Sequence, residues 1–209
     1  MSKFLTKNSL YLVTALAVIV GGYTAMTWSS LPVLQRMVAL FLVGIVAHVW
    51  EENRYPGGFS EMITAKLNFT AKSKDFGESV TMVLVLCIAV VPLFFPHLMF
   101  LVLAPMLLGV AEAIAHTAMI WIFDLKRPYS PGLATALVVL LPISAYSLTY
   151  AVSHHLLTPL DWVGALAYML AVLLLGQRIV VTASGMSYAE FMRRLRTAAF
   201  TKKSDPSGA

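Results

Sequence analysis

Residues 31–52 read LPVLQRMVALFLVGIVAHVWEE, and this stretch decides the fold class. Its apolar part is long enough to cross a bilayer as a helix, because about 20 apolar residues span the hydrocarbon core. The stretch nevertheless ends in His48, Glu51 and Glu52. Residues three and four apart on a helix share one face, so His48 lies beside both glutamates. Ionisable side chains at membrane depth are costly, and they indicate a functional site.

The composition indicates a membrane protein with several spans. The chain of 209 residues is 59% hydrophobic and only 12% charged, with a mean hydropathy of +0.79, values that a soluble domain of this size does not reach. The single cysteine, Cys87, excludes an internal disulfide and a site built from cysteine thiolates. The net charge of +5 comes from basic residues in short loops, so membrane topology explains it better than nucleic-acid binding does.

The hydropathy pattern predicts an all-α bundle of six transmembrane helices. The predicted spans are 9–28, 31–52, 78–95, 97–123, 132–152 and 159–184. Between the second and third spans, residues 59–76 are too polar to cross and predict a short amphipathic or re-entrant segment at the cytoplasmic surface. We expect one transmembrane domain, 1–184, and a basic cytoplasmic tail, 185–209, whose end from Lys202 onward is disordered.

The distribution of basic residues predicts the orientation. With six spans, 13 of the 15 lysines and arginines fall at the termini or in loops on one side. Because positively charged loops stay in the cytoplasm, both termini are predicted to be cytoplasmic. Only Arg36 falls on the opposite side, while Arg178 lies inside the sixth span.

A second polar pair lies in the fourth predicted span. Glu112 and His116 are four residues apart and share a helix face. Counting about 1.5 Å per residue along the spans places this pair, and Arg178 of the sixth span, at the depth of the first group. We therefore expect one intramembrane site near the cytoplasm, with metal ligands His48, Glu52, Glu112 and His116 and with catalytic groups Glu51, Glu52, Glu112 and Arg178. Of the two adjacent glutamates, Glu52 is favoured as the ligand, and Glu51 as the group that orients a ligand or acts as a base.

Two histidines and three glutamates in one layer are typical of a divalent metal site, because imidazole and carboxylate are ligands of zinc, iron and manganese. A dinuclear site, a mononuclear site and a metal-free acid–base pair all fit the spacing. A purely structural polar network is the alternative to a functional site. It is disfavoured because three glutamates against one arginine leave negative charge that a metal ion or protons must balance.

Three segments resemble the HXXEE-domain family of bacterial integral membrane proteins. They are the run from His48 to Glu52 with the following Tyr55-Pro56-Gly57-Gly58-Phe59, the pair Glu112 and His116, and the stretch Tyr129-Ser130-Pro131-Gly132-Leu133-Ala134-Thr135. The resemblance covers residues 31–150 and implies a multi-pass protein of the bacterial inner membrane. It implies no particular reaction. The last stretch is expected to approach the site or to begin the fifth helix.

Three functions compete on this evidence. The favoured one is a membrane-embedded, metal-dependent enzyme, hydrolase-like or acting by acid–base chemistry, whose partners are membrane lipids and a small amphiphilic substrate. An intramembrane glutamate protease is disfavoured, because Pro56 and Glu112 replace the arginine and the phenylalanine that such enzymes carry. The alternative is an ion- or proton-coupled transporter that uses the same cluster, and it predicts polar residues that continue through the bundle. A structural or partner-binding protein is the third class.

Overall fold

The computed structural model describes residues 3–200, and that part of the chain is helical without strands. Six helices are long and apolar enough to cross a membrane, which confirms the predicted fold class and number of spans. They are α1 (Lys3–Met26), α2 (Val33–Asn53), α4 (Lys74–Phe94), α5 (Met99–Ile122), α6 (Leu133–Ser153) and α7 (Pro159–Ala183). Two shorter helices, α3 (Phe59–Leu67) and α8 (Tyr188–Phe200), complete the described chain.

Helices α2 and α5 form the centre of the bundle. Their most apolar windows are 61% and 56% buried, against 17–39% for the other four spans. They pack against each other, a contact that depth counting alone leaves undetermined, and both also contact α6. A side chain at Gly109 of α5 would meet Phe41 of α2 at 3.0 Å and the Ser144 hydroxyl of α6 at 2.2 Å. Glycine therefore permits the close approach of these three helices.

Helices α4 and α6 each contain one π-helical turn, at Leu86–Val90 and Ala136–Leu140. In both helices a proline follows the turn by two residues, at Pro92 and Pro142. Proline has no backbone N–H, and its ring clashes with the carbonyl four residues earlier. A widened turn just before the proline relieves that clash without breaking the helix.

The short helix α3 lies after the second span, as the sequence predicts. With nine residues it is about 14 Å long, too short to cross a bilayer. Its carboxyl end is tied to α8, because Arg194 donates to the carbonyls of Leu67 and Asn68. Phe191 of α8 is buried in a small cluster with Leu67, Phe123 and Val181.

The tail predicted at 185–209 thus begins with a helix that packs on α3, α5 and α7. The division into a domain at 1–184 and a tail stays a prediction. The expected disorder from Lys202 onward lies outside the described residues.

Candidate metal centre

Helices α2 and α5 bring His48 and His116 together at the core of the bundle. Their ring centroids are 5.0 Å apart and the rings are nearly perpendicular, at 83°. Both side chains are sealed from solvent, with exposures of 2% and 0%. The packing of α2 on α5 thus unites two histidines that are 68 positions apart in the chain.

Two carboxylates face both imidazoles. Glu52 Oε1 lies 3.4 Å from His116 Nε2 and 3.7 Å from His48 Nε2. Glu112 Oε2 lies 3.5 Å and 3.9 Å from the same two nitrogens. His48, Glu52 and His116 each offer a ligand atom within 4.8 Å of the others, so these three residues could hold a metal ion. We refer to these three residues and Glu112 as the His/Glu cluster.

The other ring nitrogen of each histidine is held by a hydroxyl group. His48 Nδ1 lies 3.0 Å from Thr135 Oγ1, whose single proton goes to Glu51. His116 Nδ1 lies 3.2 Å from Ser130 Oγ, whose proton goes to the carbonyl oxygen of His116 at 2.9 Å. A hydroxyl that already donates its proton elsewhere can only accept a hydrogen bond from the histidine. Each Nδ1 therefore carries a hydrogen. In the neutral imidazole each Nε2 then has a lone pair that points into the cluster, as metal-ligating imidazoles require.

Glu51, the neighbour of Glu52, faces away from the cluster and anchors the start of α6. It accepts hydrogen bonds from the backbone N–H groups of Thr135 at 2.7 Å and Ala134 at 3.1 Å. The hydroxyls of Tyr129, at 2.7 Å, and of Thr135 also donate to it. A carboxylate at a helix amino terminus satisfies N–H groups that have no partner within the helix, and it complements the helix dipole. Glu51 reaches the cluster only through Thr135, which links it to His48.

Residues 129–135 form the wall of the site that packs against both histidine rings. Gly132 has φ +100°, and a Cβ atom there would lie 2.6 Å from His116 Cε1 and 2.8 Å from His48 Cε1. Only glycine fits, because it tolerates this backbone conformation and leaves room for both rings. The stretch therefore both approaches the site and begins the fifth span, so the two outcomes expected from the sequence occur together.

Tyr129 lies in the loop before α6 and keeps its proton at physiological pH. Burial, and then the hydrogen bond to Glu51, raise the pKa of Tyr129 to about 12. The phenol is therefore a permanent donor to Glu51 under ordinary conditions. This donor holds the loop against the end of α2.

The segment after α2 covers the site from another side. The ring of Phe59, the first residue of α3, lies 5.2 Å from that of His116. Arg54 at the end of α2 pairs through both terminal guanidinium nitrogens with Glu78 of α4, which is 3% exposed. The pKa of Arg54 is raised, chiefly by that hydrogen-bonded partner. This ion pair fixes α2 to α4 beside the site and was not found from the sequence.

Arg178 is not brought to the His/Glu cluster. It is exposed, and in residues 3–200 it forms no ion pair with a glutamate. Gly176 of α7 is buried against Leu84 of α4. Two residues further on, at about 100° per residue, Arg178 points to the far side of α7. Sequence distance gives the level of a residue in a bundle but not the direction in which it faces.

Residues that the sequence did not single out complete the site. Ser130, Gly132 and Thr135 touch the two imidazoles, and the only signal for them is the resemblance carried by residues 129–135. Within the described chain, no lysine or arginine pairs with Glu52 or Glu112.

The chain matches a known protein family. No curated protein and no solved structure matches the chain. The sequence profile of one family, described as "Protein of unknown function with HXXEE motif", matches residues 39–147. This range contains His48, Glu51, Glu52, Glu112, His116 and the stretch 129–135. Since the match covers more than half of the 209 residues, the chain belongs to the HXXEE family.

Proposed function

We propose that the protein is a membrane-embedded, metal-dependent enzyme with hydrolase-like chemistry that acts on a lipid-like or amphiphilic substrate. The observation that carries the proposal is the inward direction of four acceptors. Two imidazole lone pairs and two carboxylates face one another, and His116 Nε2 is buried without a hydrogen-bond partner. Such a group of acceptors is unfavourable in a buried site unless a cation sits among them.

The donor set suits a divalent transition metal. Two neutral imidazoles and one carboxylate form the ligand set of many catalytic zinc sites, which keep a further position open. His48, Glu52 and His116 would supply this set, with zinc, iron or manganese as candidates. A metal held there would polarise a carbonyl or phosphoryl oxygen of the substrate.

Glu112 is the residue best suited to proton transfer. Its carboxylate lies within 3.9 Å of both Nε2 atoms but does not belong to the group of three that could bind one ion. Its side chain is 24% exposed, the largest value in the cluster. We assign it the role of general base, which accepts a proton from an attacking water molecule.

Metal analysis of the purified protein tests the proposal. We expect close to one equivalent of metal in the wild type and loss of metal in both His48→Ala and His116→Ala. His97→Ala is the matched control, because His97 is an exposed histidine in the turn between α4 and α5, at the far ends of these helices from the site. If the wild type carries no metal after growth with zinc, iron and manganese, or if the control loses metal equally, the metal-dependent function is wrong. Proton-coupled transport would then be the function to test.

The location in the bacterial inner membrane, with both termini in the cytoplasm, belongs to the same proposal. It is supported by the bias of lysine and arginine between the two sides. Reporter fusions after Thr158 and after Ala209 should report opposite sides of the membrane, with the second in the cytoplasm. A carboxyl terminus outside the cytoplasm would contradict the orientation while leaving the site intact.

A further inference from the structure

An apolar chamber lies beside the His/Glu cluster, inside the bundle. Its volume is about 90 Å³. Its floor is polar, formed by His48, Glu52 and Glu112. Its walls are aliphatic and come from three helices, with Ile45 and Val49 of α2, Val85, Ile88 and Ala89 of α4, and Leu108 of α5.

The chamber is on the accessible side of the cluster. The imidazoles of His48 and His116 are 2% and 0% exposed, whereas the side chains of Glu52 and Glu112 are 13% and 24% exposed. Both carboxylates therefore face free space, whereas Gly132 packs against both histidine rings and Phe59 of α3 packs against His116. A molecule that reaches the cluster meets the carboxylates first.

The chamber is least buried where α4 packs on α7, with Leu84 against Gly176, and we infer that its opening lies on this side. All of its aliphatic wall residues named above are buried, whereas the remaining lining residues, Thr81, Leu84 and Leu173, are half-buried. Leu84 stands at the midpoint of α4, ten residues or about 15 Å from either end. This depth corresponds to the hydrocarbon core of a bilayer about 30 Å thick. The surroundings of the opening are therefore lipid chains rather than water.

We propose that this chamber binds the hydrocarbon chain of an amphiphile that enters from the bilayer between α4 and α7 and presents its polar group to Glu52 and Glu112. The assignment rests on the proposed function, because the polar group is placed at that reaction centre. It goes further in naming the route, the wall residues and the kind of chain. Two buried residues of the wall, Ile88 and Ala89, belong to the π-helical turn of α4, and such turns are frequent at functional sites.

The volume limits how much of the chain is held. A space of about 90 Å³, at about 25–30 Å³ for each chain carbon, has room for roughly three carbons. A longer chain would extend through the opening into the membrane. The chamber thus contacts only the part of the chain nearest the reacting group.

The first experiment needs no metal. The full-length protein in nanodiscs is irradiated with decanol that carries a diazirine on the third carbon from its hydroxyl group, and the labelled residues are mapped by mass spectrometry. We expect labels at Leu108 and Ile88 inside the chamber. Leu173→Trp, which fills the opening, should abolish these labels. Leu175→Trp, the same change at a lipid-facing position two residues away, should keep them. Labels confined to lipid-facing residues, or equal labelling in both variants, would overturn the assignment.

The second experiment places the polar group. Zinc-loaded protein is titrated with alkyl hydroxamates of increasing length, from acetohydroxamate to decanohydroxamate. Affinity should rise roughly fourfold per methylene, as burial of a CH₂ group predicts, and level off near three carbons. Leu108→Ala enlarges the chamber and should move the plateau to longer chains, which keeps the test valid if Leu173→Trp does not fold. Longer hydroxamates also partition more into detergent, which changes their apparent affinity. The same titration of Leu175→Trp measures this contribution, so that it can be subtracted.

The two experiments separate the failures. A protein that binds no metal and no hydroxamate refutes the proposed function, while chamber labels that depend on Leu173 still support the hydrocarbon site. A protein that binds metal and hydroxamates with no dependence on chain length keeps the metal centre and refutes the chamber.

Discussion

The two neighbouring glutamates at the end of α2 have opposite surroundings. Glu51 faces four donors at the start of α6, while Glu52 faces imidazole nitrogens and no lysine or arginine among the described residues. Glu78, a third buried carboxylate, resembles Glu51 because Arg54 donates to it twice. A carboxylate surrounded by donors stabilises the fold, whereas one without donors needs a metal ion or a proton to balance its charge. The two sides of α2 thus separate the anchor of α6 from the proposed metal centre within two consecutive residues.

Replacing each glutamate by alanine should give the largest contrast. Glu51→Ala leaves the N–H groups of Ala134 and Thr135 and the hydroxyl of Tyr129 without their acceptor. At about 1–3 kcal/mol for each buried donor, the free energy of unfolding should fall by roughly 3 kcal/mol or more. Glu52→Ala removes one acceptor from a group of acceptors, so the metal-free protein should keep or gain stability while metal binding is lost. Thermal unfolding in detergent, with and without zinc, measures both. An equal fall in the stability of the two metal-free variants would contradict the different roles of Glu51 and Glu52.

A methyl group at Gly132 should abolish metal binding at the His/Glu cluster, on the Glu52 side of α2. In Gly132→Ala the added carbon would meet both imidazoles within 3 Å. We expect loss of metal, together with a cost of about 1–3 kcal/mol for the left-handed backbone. Gly185→Ala is the control, because Gly185 has φ +84° and no atom within 4 Å of the added carbon. The control should lose a similar amount of stability, because of its left-handed backbone, but should retain metal. Retention of metal by Gly132→Ala would show that the rings do not need this wall.

The sequence was sufficient to predict the helices, but not how each helix is rotated about its own axis in the bundle. Runs of apolar residues predicted all six spans, and helical spacing placed His48 with Glu52 and Glu112 with His116. Periodicity relates a residue only to its own helix axis, so it could not show that Arg178 faces away or that Glu51 turns toward α6. The loop residues Ser130 and Gly132 have no periodic pattern, and their position depends on how α5 and α6 pack.

Thr135 connects the two sides, and its hydroxyl should control metal affinity. Thr135→Val keeps the shape but removes the acceptor that fixes the proton on His48 Nδ1. Loss of such an orienting partner weakens metal binding by about 10–100-fold. Thr135→Ser keeps the hydroxyl and should restore affinity. Zinc competition titrations give the affinities, and nitrogen NMR shifts of His48 report which ring nitrogen carries the proton. Equal affinity in the valine and serine variants would separate Glu51 from the metal centre.

The smallest expected effect is the pH dependence of the Tyr129 hydrogen bond. The pKa of Tyr129 is raised from its ordinary value of 10.0 to about 12, so the protonated phenol is favoured by the folded state. A group with a raised pKa gives its full stabilisation below its unfolded pKa and loses it as the pH approaches the folded one. The free energy of unfolding of the wild type should therefore exceed that of Tyr129→Phe by about 1–2 kcal/mol below pH 10. This difference should shrink between pH 10 and 12. Chemical unfolding of both proteins across this pH range gives the difference in free energy of unfolding directly. The contributions of all other titrating groups are common to the two proteins and cancel in this difference. A difference that disappears already at neutral pH would mean that the phenol does not donate to Glu51, and Glu51 would then depend on α6 alone.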